Sequence, residues 1–507
     1  MYKKVIIGFV LVIFVLSADA QIFKQINIQI EQDSIDELES HPYTNEDVHG
    51  NFIINGDTSN YVELHYRGAW YLWTLMQQGS LRNWKVKFPK SNRFENRREW
   101  NFNYENYIRQ NLAYHVFGQA NVPVVSSENV ILFINGQKQG LYLKYEDLDN
   151  KRWLKDVFGD NDGDLYKAAY DMPNETKRFA DLTYLGGDDS DYFLHYRKQT
   201  NKDGADEFDY SSIRDFISLI NHTSDADFEE TILENFAVEE FIRYLVVANF
   251  SANWDSYPYR PKNFSLYNNP EDGKWHFIPW DLDGTFQEGG NRNSIGATGS
   301  IYHYFDGIAP YNHTANEPLN RPLVWRLMEN DWFRDKYCYE YHQAIDTYLS
   351  KDYLYQVIDS MALGVSNNTS GQELTAFNQD VVNTKNFISK RVLNVTSQLN
   401  DCVIETDPFT DPNYGAEPEP TDTIFSNLLV FPNPATDYVT VQLPDLITGT
   451  VDFQIVNILG QILKTLEVEA ISDNIYKIET KDIDRGQYIL IIKTTTETFT
   501  VKLLINN

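Results

Sequence analysis

The sequence predicts an α+β chain, in which a two-lobed main domain of strands and helices is followed by a small all-β sandwich. Three observations carry this. Alternating strand-like runs crowd the first third, long runs of helical spacing fill much of the second half, and one acidic, Pro-rich break precedes a tail of short strands. The expected plan is a leader at 1–20, the main domain at 21–403, a linker at 404–423 and the sandwich at 424–507.

The leader reads as a secretory signal peptide. Lys3-Lys4 form a basic start, Val5 to Leu16 is almost uninterruptedly apolar, and Ala18-Asp19-Ala20 is a small-residue cleavage site before Gln21. That run is too short for a spanning helix with its flanks, and no later run is long enough, so no transmembrane segment is expected in the mature chain.

In the main domain, Val62–Tyr66 and Trp84–Phe88 alternate like half-buried strands, and Tyr104–Phe117 spaces its apolar residues as a helix does. Asn129–Ile134 and Leu141–Tyr145 flank Asn135-Gly136, the residue pair that a tight hairpin turn requires. Phe228–Phe250 reads as one long helix ending just before Asn253-Trp254-Asp255. Phe264–Tyr267 and Trp275–Ile278 form a second hairpin, turned by Asn269–Gly273, and Pro322–Val395 is mostly helical. Glu405–Thr423 reads as an exposed linker. After it, Leu429–Pro434, Tyr438–Leu443, Val451–Val456 and Gly486–Ile492 are short strands at near-regular spacing, as in a sandwich.

Lys and Arg number 43 against 73 Asp and Glu, a net charge of −30, and −31 once Lys3, Lys4 and Asp19 are removed. That balance argues against a nucleic-acid partner. It suits cationic partners, or a secreted protein adapted to salty surroundings. Cys338 and Cys402 are the two cysteines, which excludes a Cys-based zinc site. In an exported chain they form either one disulfide or two buried thiols.

The chemistry concentrates between Asn253 and Thr285. Asp255, Asn263, Asp281 and Asp283 are all oxygen donors within about thirty residues, the ligand type that Mg²⁺ takes alongside substrate phosphates. Phosphoryl transfer needs a separate acid to orient the attacking hydroxyl, and the order base Asp, metal Asn, metal Asp matches that division of labour. Asp281 and Asp283 read equally as the turn that caps a strand. Lys85 and Lys87, two apart on a strand, share one face, where one could neutralise phosphates or both could simply be solvated. Asp160–Asp164 looks like part of a calcium loop but lacks its terminal Glu, so an acidic turn is the plainer reading.

Arg67-Gly68, Tyr107–Ala113, Ile134-Asn-Gly136, Gly140-Leu-Tyr142, Glu146-Asp147, Gly163–Lys167, Asn253-Trp-Asp255, Asn263, Pro279–Asp283, Pro322–Met328 and Asp331–Arg334 stand in the order seen in CotH-type proteins. The main domain resembles that family, which includes spore-coat kinases with an atypical protein-kinase-like fold. The tail resembles the type A sorting domain of type IX secretion, through Phe431-Pro-Asn-Pro434, Asn457–Gly460 and Gly486-Gln-Tyr488.

The first resemblance implies Asp255 as base or hydroxyl-positioning residue, and Asn263 and Asp281 as holders of Mg²⁺ (or Mn²⁺) against the phosphates of ATP. Asp283 would be a further metal or structural ligand. It also implies Lys85 or Lys87 at the nucleotide phosphates and Glu146 at the adenine. The second implies a Bacteroidota-type source, engagement of the type IX secretion machinery, and delivery through the periplasm to the surface or medium. Two departures stand out. Asp255 and Asn263 are eight residues apart where ordinary kinases have five, and Gly68 leads into bulky Trp70-Tyr-Leu-Trp73 where a flexible phosphate cradle is expected.

The leading expectation is therefore a secreted kinase acting on Ser or Thr of an acceptor protein. A catalytically silent surface module that binds proteins or glycans, using the Trp70–Trp73 cluster for stacking, is the alternative. Glycoside hydrolysis by a carboxylate pair is a third reading, against which the order of motifs argues.

Overall fold

The computed structural model of the chain describes residues 23–411 and 429–505, except 45, 69, 80, 105–106, 170–179, 290–294, 304, 306–320, 403, 432, 434, 436, 444–450, 458–461, 467, 473 and 495–497. The expected signal peptide and the linker residues 412–423 lie outside the described residues. The chain divides into two compact units, Met1–Pro412 and Asn413–Asn507.

The first unit opens with seven strands. They are β1 (Gln25–Ile30), β2 (Val48–Ile54), β3 (Asp57–Tyr66), β4 (Trp84–Lys87), β5 (Glu99–Tyr104), β6 (Ser127–Ile134) and β7 (Gln137–Glu146). They close into a barrel in the order β1-β2-β3-β4-β5-β7-β6, sealed by the parallel pair β1–β6. The sequence signals strands here but not closure. Alternate residues such as Ile26, Ile28, Val62, Leu64, Val86, Phe102, Val130 and Leu132 point inward to a single core, and closure removes the exposed edges. Asn135 and Gly136 both take positive φ (49° and 76°), the two-residue turn that their chemistry predicts.

Two helices accompany the barrel, α1 (Gln32–Ser40) and α2 (Trp70–Gln78). The Trp70–Trp73 segment, a stacking cluster in the alternative reading, lies on the latter helix, with Leu72 and Leu75 buried and Trp73 exposed. Helix α3 (Arg109–Gln119) starts later than its periodicity suggests, because Tyr104 completes β5. It packs with Ile131, Leu141, Leu143 and Tyr145 of β6 and β7 into a second, larger core.

That core belongs to the second lobe: α4 (Lys151–Phe158), β8 (Leu165–Ala168), β9 (Tyr196–Lys198), α5 (Ser211–His222), α6 (Asp225–Asn235), α7 (Val238–Phe250), β10 (Phe264–Asn269), β11 (Lys274–Pro279), α8 (Pro322–Glu329), α9 (Asp331–Asp346), α10 (Lys351–Ser366) and α11 (Gly371–Leu399). Its sheet runs β11-β10-β8-β9. The single helix expected over Phe228–Phe250 is two, α6 and α7. Phe236 leaves the helix to bridge Trp275, and the Ala237 N–H donates to the Trp275 carbonyl at 2.9 Å. A disulfide joins Cys338 of α9 to Cys402, just beyond α11.

Residues 404–411 are not the exposed linker that composition suggests. Asp407 pairs with Lys336 of α9 at 2.8 Å, the Trp332 indole N–H donates to the Pro408 carbonyl at 2.7 Å, and Phe409 packs 4.5 Å from the Trp332 ring. Composition misleads here because Asp, Pro and Phe serve as anchors to a neighbouring helix.

The second unit is all β, with β12 (Leu429–Phe431), β13 (Tyr438–Gln442), β14 (Asp452–Asn457), β15 (Ile462–Thr465), β16 (Val468–Ser472), β17 (Ile475–Glu479), β18 (Gly486–Lys493) and β19 (Thr498–Ile505). Two four-stranded sheets, β12-β13-β17-β16 and β15-β14-β18-β19, share one core through Val439, Val441 and Ile478 on one side and Ile455, Leu490 and Ile492 on the other. That is a sandwich.

Candidate functional site

The β10–β11 hairpin sets the site. Phe264 pairs with Pro279 at its open end, and the Trp280 N–H donates to the Asn263 carbonyl at 2.9 Å, one step beyond the ladder. Asn263 and Asp281 therefore leave the hairpin side by side. Both take left-handed backbone (φ 59° and 53°), which Asn and Asp tolerate better than other non-glycine residues. A short 3₁₀ turn, Leu282–Gly284, carries Asp283.

Asp255 follows the end of α7 and is held from three sides. Lys262 donates to Oδ2 at 2.7 Å, Arg260 to Oδ1 at 3.0 Å, and the Asn263 amide to Oδ2 at 3.0 Å and to the Asp255 carbonyl at 2.8 Å. The loop fits closely against the turn: a Cβ on Gly284 would stand 3.1 Å from Asp255 Cβ and from Asn253 Oδ1. The three hydrogen bonds to the Asp255 carboxylate leave about one of its four acceptor positions for a further donor.

Asp281 and Asp283 differ from Asp255. Among the described residues neither makes an ion pair or a side-chain hydrogen bond. Burial pushes Asp281 above the usual range, with Asp255 adding to it and Lys262, Lys167 and Arg67 opposing. Burial pushes Asp283 well up too, reinforced by Asp281 and Asp255. Half-buried carboxylates that repel one another and have no donor among the described residues suit a bound cation. The Asn263 Oδ1 accepts no hydrogen bond among the described residues and offers a neutral oxygen beside them.

Opposite stands a group that the sequence singled out only in part. Lys85 pairs with Asp147 and Glu99, each at 2.8 Å. Burial acts to raise Asp147, but Lys85 and Arg67 outweigh it and hold its carboxyl down at about 2, whereas burial and the Asp147 charge lift Asp149 to about 6. Glu99, Asp147 and Asp149 bring oxygens within 4.8 Å of one another, with the Lys85 ammonium bridging two of them. Arg67 donates to Asn103 at 2.7 Å and to the Tyr145 hydroxyl, and lies over the Tyr145 ring. Lys167 lies 5.0 Å from the Trp280 ring centroid, and the Tyr145 and Trp280 rings meet edge to face at 5.3 Å.

Two expected residues go elsewhere. Lys87 shares the β4 face with Lys85 but pairs with Glu63 of β3 and reaches Asp47 at 4.0 Å. Glu146 points away from Asp147, as neighbours on an extended chain do, and binds Arg97 and the Ser126 hydroxyl (2.6 Å). Asp147 is thus the acid that faces Lys85, Arg67 and Lys167. The signal was present, since Arg67, Asp147 and Lys167 fall within the quoted motifs and Lys262 immediately precedes Asn263, but nothing in the spacing says which neighbour points inward. The Asp160–Asp164 segment is a self-satisfied turn: the Asp162 N–H donates to Asp160 at 2.7 Å, and Asp164 accepts from Ser212 and Asn201, each at 3.0 Å. Among the described residues no helix is long and apolar enough to cross a membrane.

Comparison with known proteins places these residues in context. The family described as CotH kinase protein matches residues 64–395, and the secretion system C-terminal sorting domain matches 429–506. The chain is 25% identical to the inner spore coat protein H of Bacillus subtilis over 236 residues, 44% of this chain and 59% of that one. It is 29% identical to the invasin CotH2 of Rhizopus delemar over 163 residues, 31% of this chain and 26% of that one. The chain thus spans less than two thirds of either relative. The twitchin kinase region from C. elegans superposes at 9% identity over 84% of this chain and 71% of that one, with a TM-score of 0.19, which does not establish a shared fold.

Proposed function

The chain belongs to the CotH kinase protein family, and from that premise we propose that it is an exported phosphotransferase moving the γ-phosphoryl group of ATP to a Ser or Thr hydroxyl of an extracytoplasmic protein. The observation that carries the reading is the pairing of opposite environments on one hairpin end. Asp255 is buried and clamped by Lys262, Arg260 and Asn263, while Asp281 and Asp283 are half-buried and have no donor among the described residues.

Asp255 orients the acceptor hydroxyl with its remaining acceptor position and takes its proton. The hydroxyl oxygen bonds to the γ-phosphorus as the bond to the ADP oxygen breaks. Asp281, Asn263 and Asp283 would hold Mg²⁺ or Mn²⁺, which would supply charge neutralisation at the phosphates. Lys262 keeps Asp255 in place and offsets the charge of Asp281. Positioning and charge compensation are most of what this reaction asks of a protein. The C-terminal sorting domain directs the protein to the type IX secretion machinery, and thence to the cell surface or medium.

The test is label transfer from γ-labelled ATP with Mg²⁺ or Mn²⁺, to the protein itself and to an envelope extract. Asp255→Ala and Asp281→Ala should each abolish it, at unchanged unfolding temperature; transfer that survives both rejects the site. A silent protein- or glycan-binding module is the second reading. It is favoured by Lys85, whose ammonium already pairs with Asp147 and Glu99, and nucleotide binding without any transfer would select it.

A further inference from the structure

The cations around Asp147 and Asp281 are not equivalent. Lys85 is bound to two carboxylates at 2.8 Å, Lys262 to Asp255 at 2.7 Å, and Arg67 to Asn103 and Tyr145. Lys167 is different: among the described residues its ammonium makes no hydrogen bond and no ion pair, and its recorded neighbour is the Trp280 ring. Lys167 is half-buried, and an ammonium held against an aromatic ring with no acceptor among the described residues keeps its donors open to an anion.

Its place in the fold agrees. Lys167 sits in β8 opposite Ser265 of β10, on the strand beside the hairpin that ends at Asp281. The Tyr145 and Trp280 rings form a wall with Arg67 over one ring and Lys167 over the other. Asp147 and Asp281 both act on Lys167 electrostatically, against a burial that lowers its pKa. The sequence points to β4 for a phosphate-binding lysine, yet Lys87 faces Glu63 there and Lys85 is closed off by acids.

We infer that Lys167, from the second lobe, is the receptor for the phosphate groups of a polyphosphate ligand at this site. The identity of that ligand as a nucleotide rests on the phosphotransfer reading, whereas the anion receptor itself stands on the unpartnered ammonium.

The experiment titrates the full chain with inorganic tripolyphosphate by calorimetry, Mg²⁺ being present throughout, alongside Lys167→Met, Lys167→Arg and Lys87→Met. Lys167→Met should weaken binding about ten- to a hundredfold, the worth of one charge-assisted hydrogen bond. Lys167→Arg should retain most of the affinity and Lys87→Met all of it, with unfolding temperatures matched. Where the Met variant misfolds, Lys167→Gln takes its place. Equal binding by wild type and Lys167→Met overturns the inference, as does a wild type that ignores tripolyphosphate. Lys167-dependent binding with no label transfer to any acceptor sinks the phosphotransfer reading and leaves the receptor; transfer undiminished in Lys167→Met does the opposite.

Discussion

The Trp280 N–H and the Asn263 carbonyl meet at 2.9 Å just past the β10–β11 ladder, and this bond sets Asn263 and Asp281 beside each other. Neither residue is near its partner in sequence. The hairpin brings them together, and their left-handed backbone turns both chains at the same level.

Burial, joined by the Asp255 charge, raises the Asp281 pKa despite Lys262, Lys167 and Arg67, so an ionised Asp281 costs stability when no metal is bound. Asp281→Asn should therefore raise the melting temperature in chelator by about 2 to 4 °C, a scale set by domain size. Adding Mg²⁺ should raise the wild type and leave the variant unmoved. A variant that melts lower than wild type in chelator would show that the carboxylate is already compensated.

Lys85 and Lys87 offer a direct contrast on one strand. Lys85→Met leaves the half-buried Asp147 beside Glu99 without its cation and should cost about 2 to 3 kcal/mol in denaturant unfolding, the scale for losing charge-assisted hydrogen bonds. Lys87 pairs with Glu63 at a more open position, and Lys87→Met should change stability by about 0.5 kcal/mol or less. Equal effects of the two would contradict the placement of Lys85.

The elements that short-range rules govern were legible: the Asn135-Gly136 hairpin, the second hairpin, and the strands 62–66 and 84–88. Closure of the barrel was not, because it depends on β1 meeting β6 across more than a hundred residues, with no local signal for that pairing. The break at Phe236 was hidden for the same reason, since it is Trp275 that draws Phe236 out of the helix. At the site, residue types pointed to Asp255, Asn263 and Asp281 within one short stretch, and the fold sets Asn263 and Asp281 at the hairpin end with Asp255 bonded to Asn263. The inward neighbour of Glu146, and the strand whose lysine has no ion pair among the described residues, were set by side-chain direction, which one sequence does not reveal.

His276 ties the site hairpin to α7, with Nδ1 against Glu240 and Nε2 against Asp272, both at 2.9 Å. Burial acts to lower its pKa, but hydrogen bonds to Asp272 and Glu240 outweigh it and raise it to about 9. A folded-state pKa above the unfolded value of about 6.5 means the stabilisation is complete below pH about 6.5 and is lost as pH rises through about 9. The loss should reach on the order of 2 kcal/mol, allowing for screening of the part-exposed Asp272. His276→Gln should flatten the stability profile between those limits; an unchanged slope would place the titration elsewhere.

Segment 404–411 should behave as part of the first unit. Trp332→Ala removes both the indole bond to Pro408 and the ring under Phe409. Protease cleavage within 404–411 should then rise by about tenfold, as expected for local opening made easier by about 1.4 kcal/mol, with global unfolding little changed. Cleavage at the wild-type rate would mean that Asp407 and Lys336 alone hold the segment.

The disulfide closes a separation of 64 residues between α9 and the end of α11. Chain entropy alone assigns such a loop about 4 kcal/mol, and native strain or residual structure in the unfolded chain reduces that. Cys338→Ser with Cys402→Ser should lower stability by about 2 to 4 kcal/mol in oxidising buffer, and reductant should lower the wild type to match but leave the double variant unchanged. The two cysteines pack beside the Tyr302 hydroxyl, far along the chain from Asp255 and Asp281. Tripolyphosphate affinity in the double variant should therefore follow the folded fraction alone; a loss beyond that fraction would tie the α9–α11 crosslink to the site.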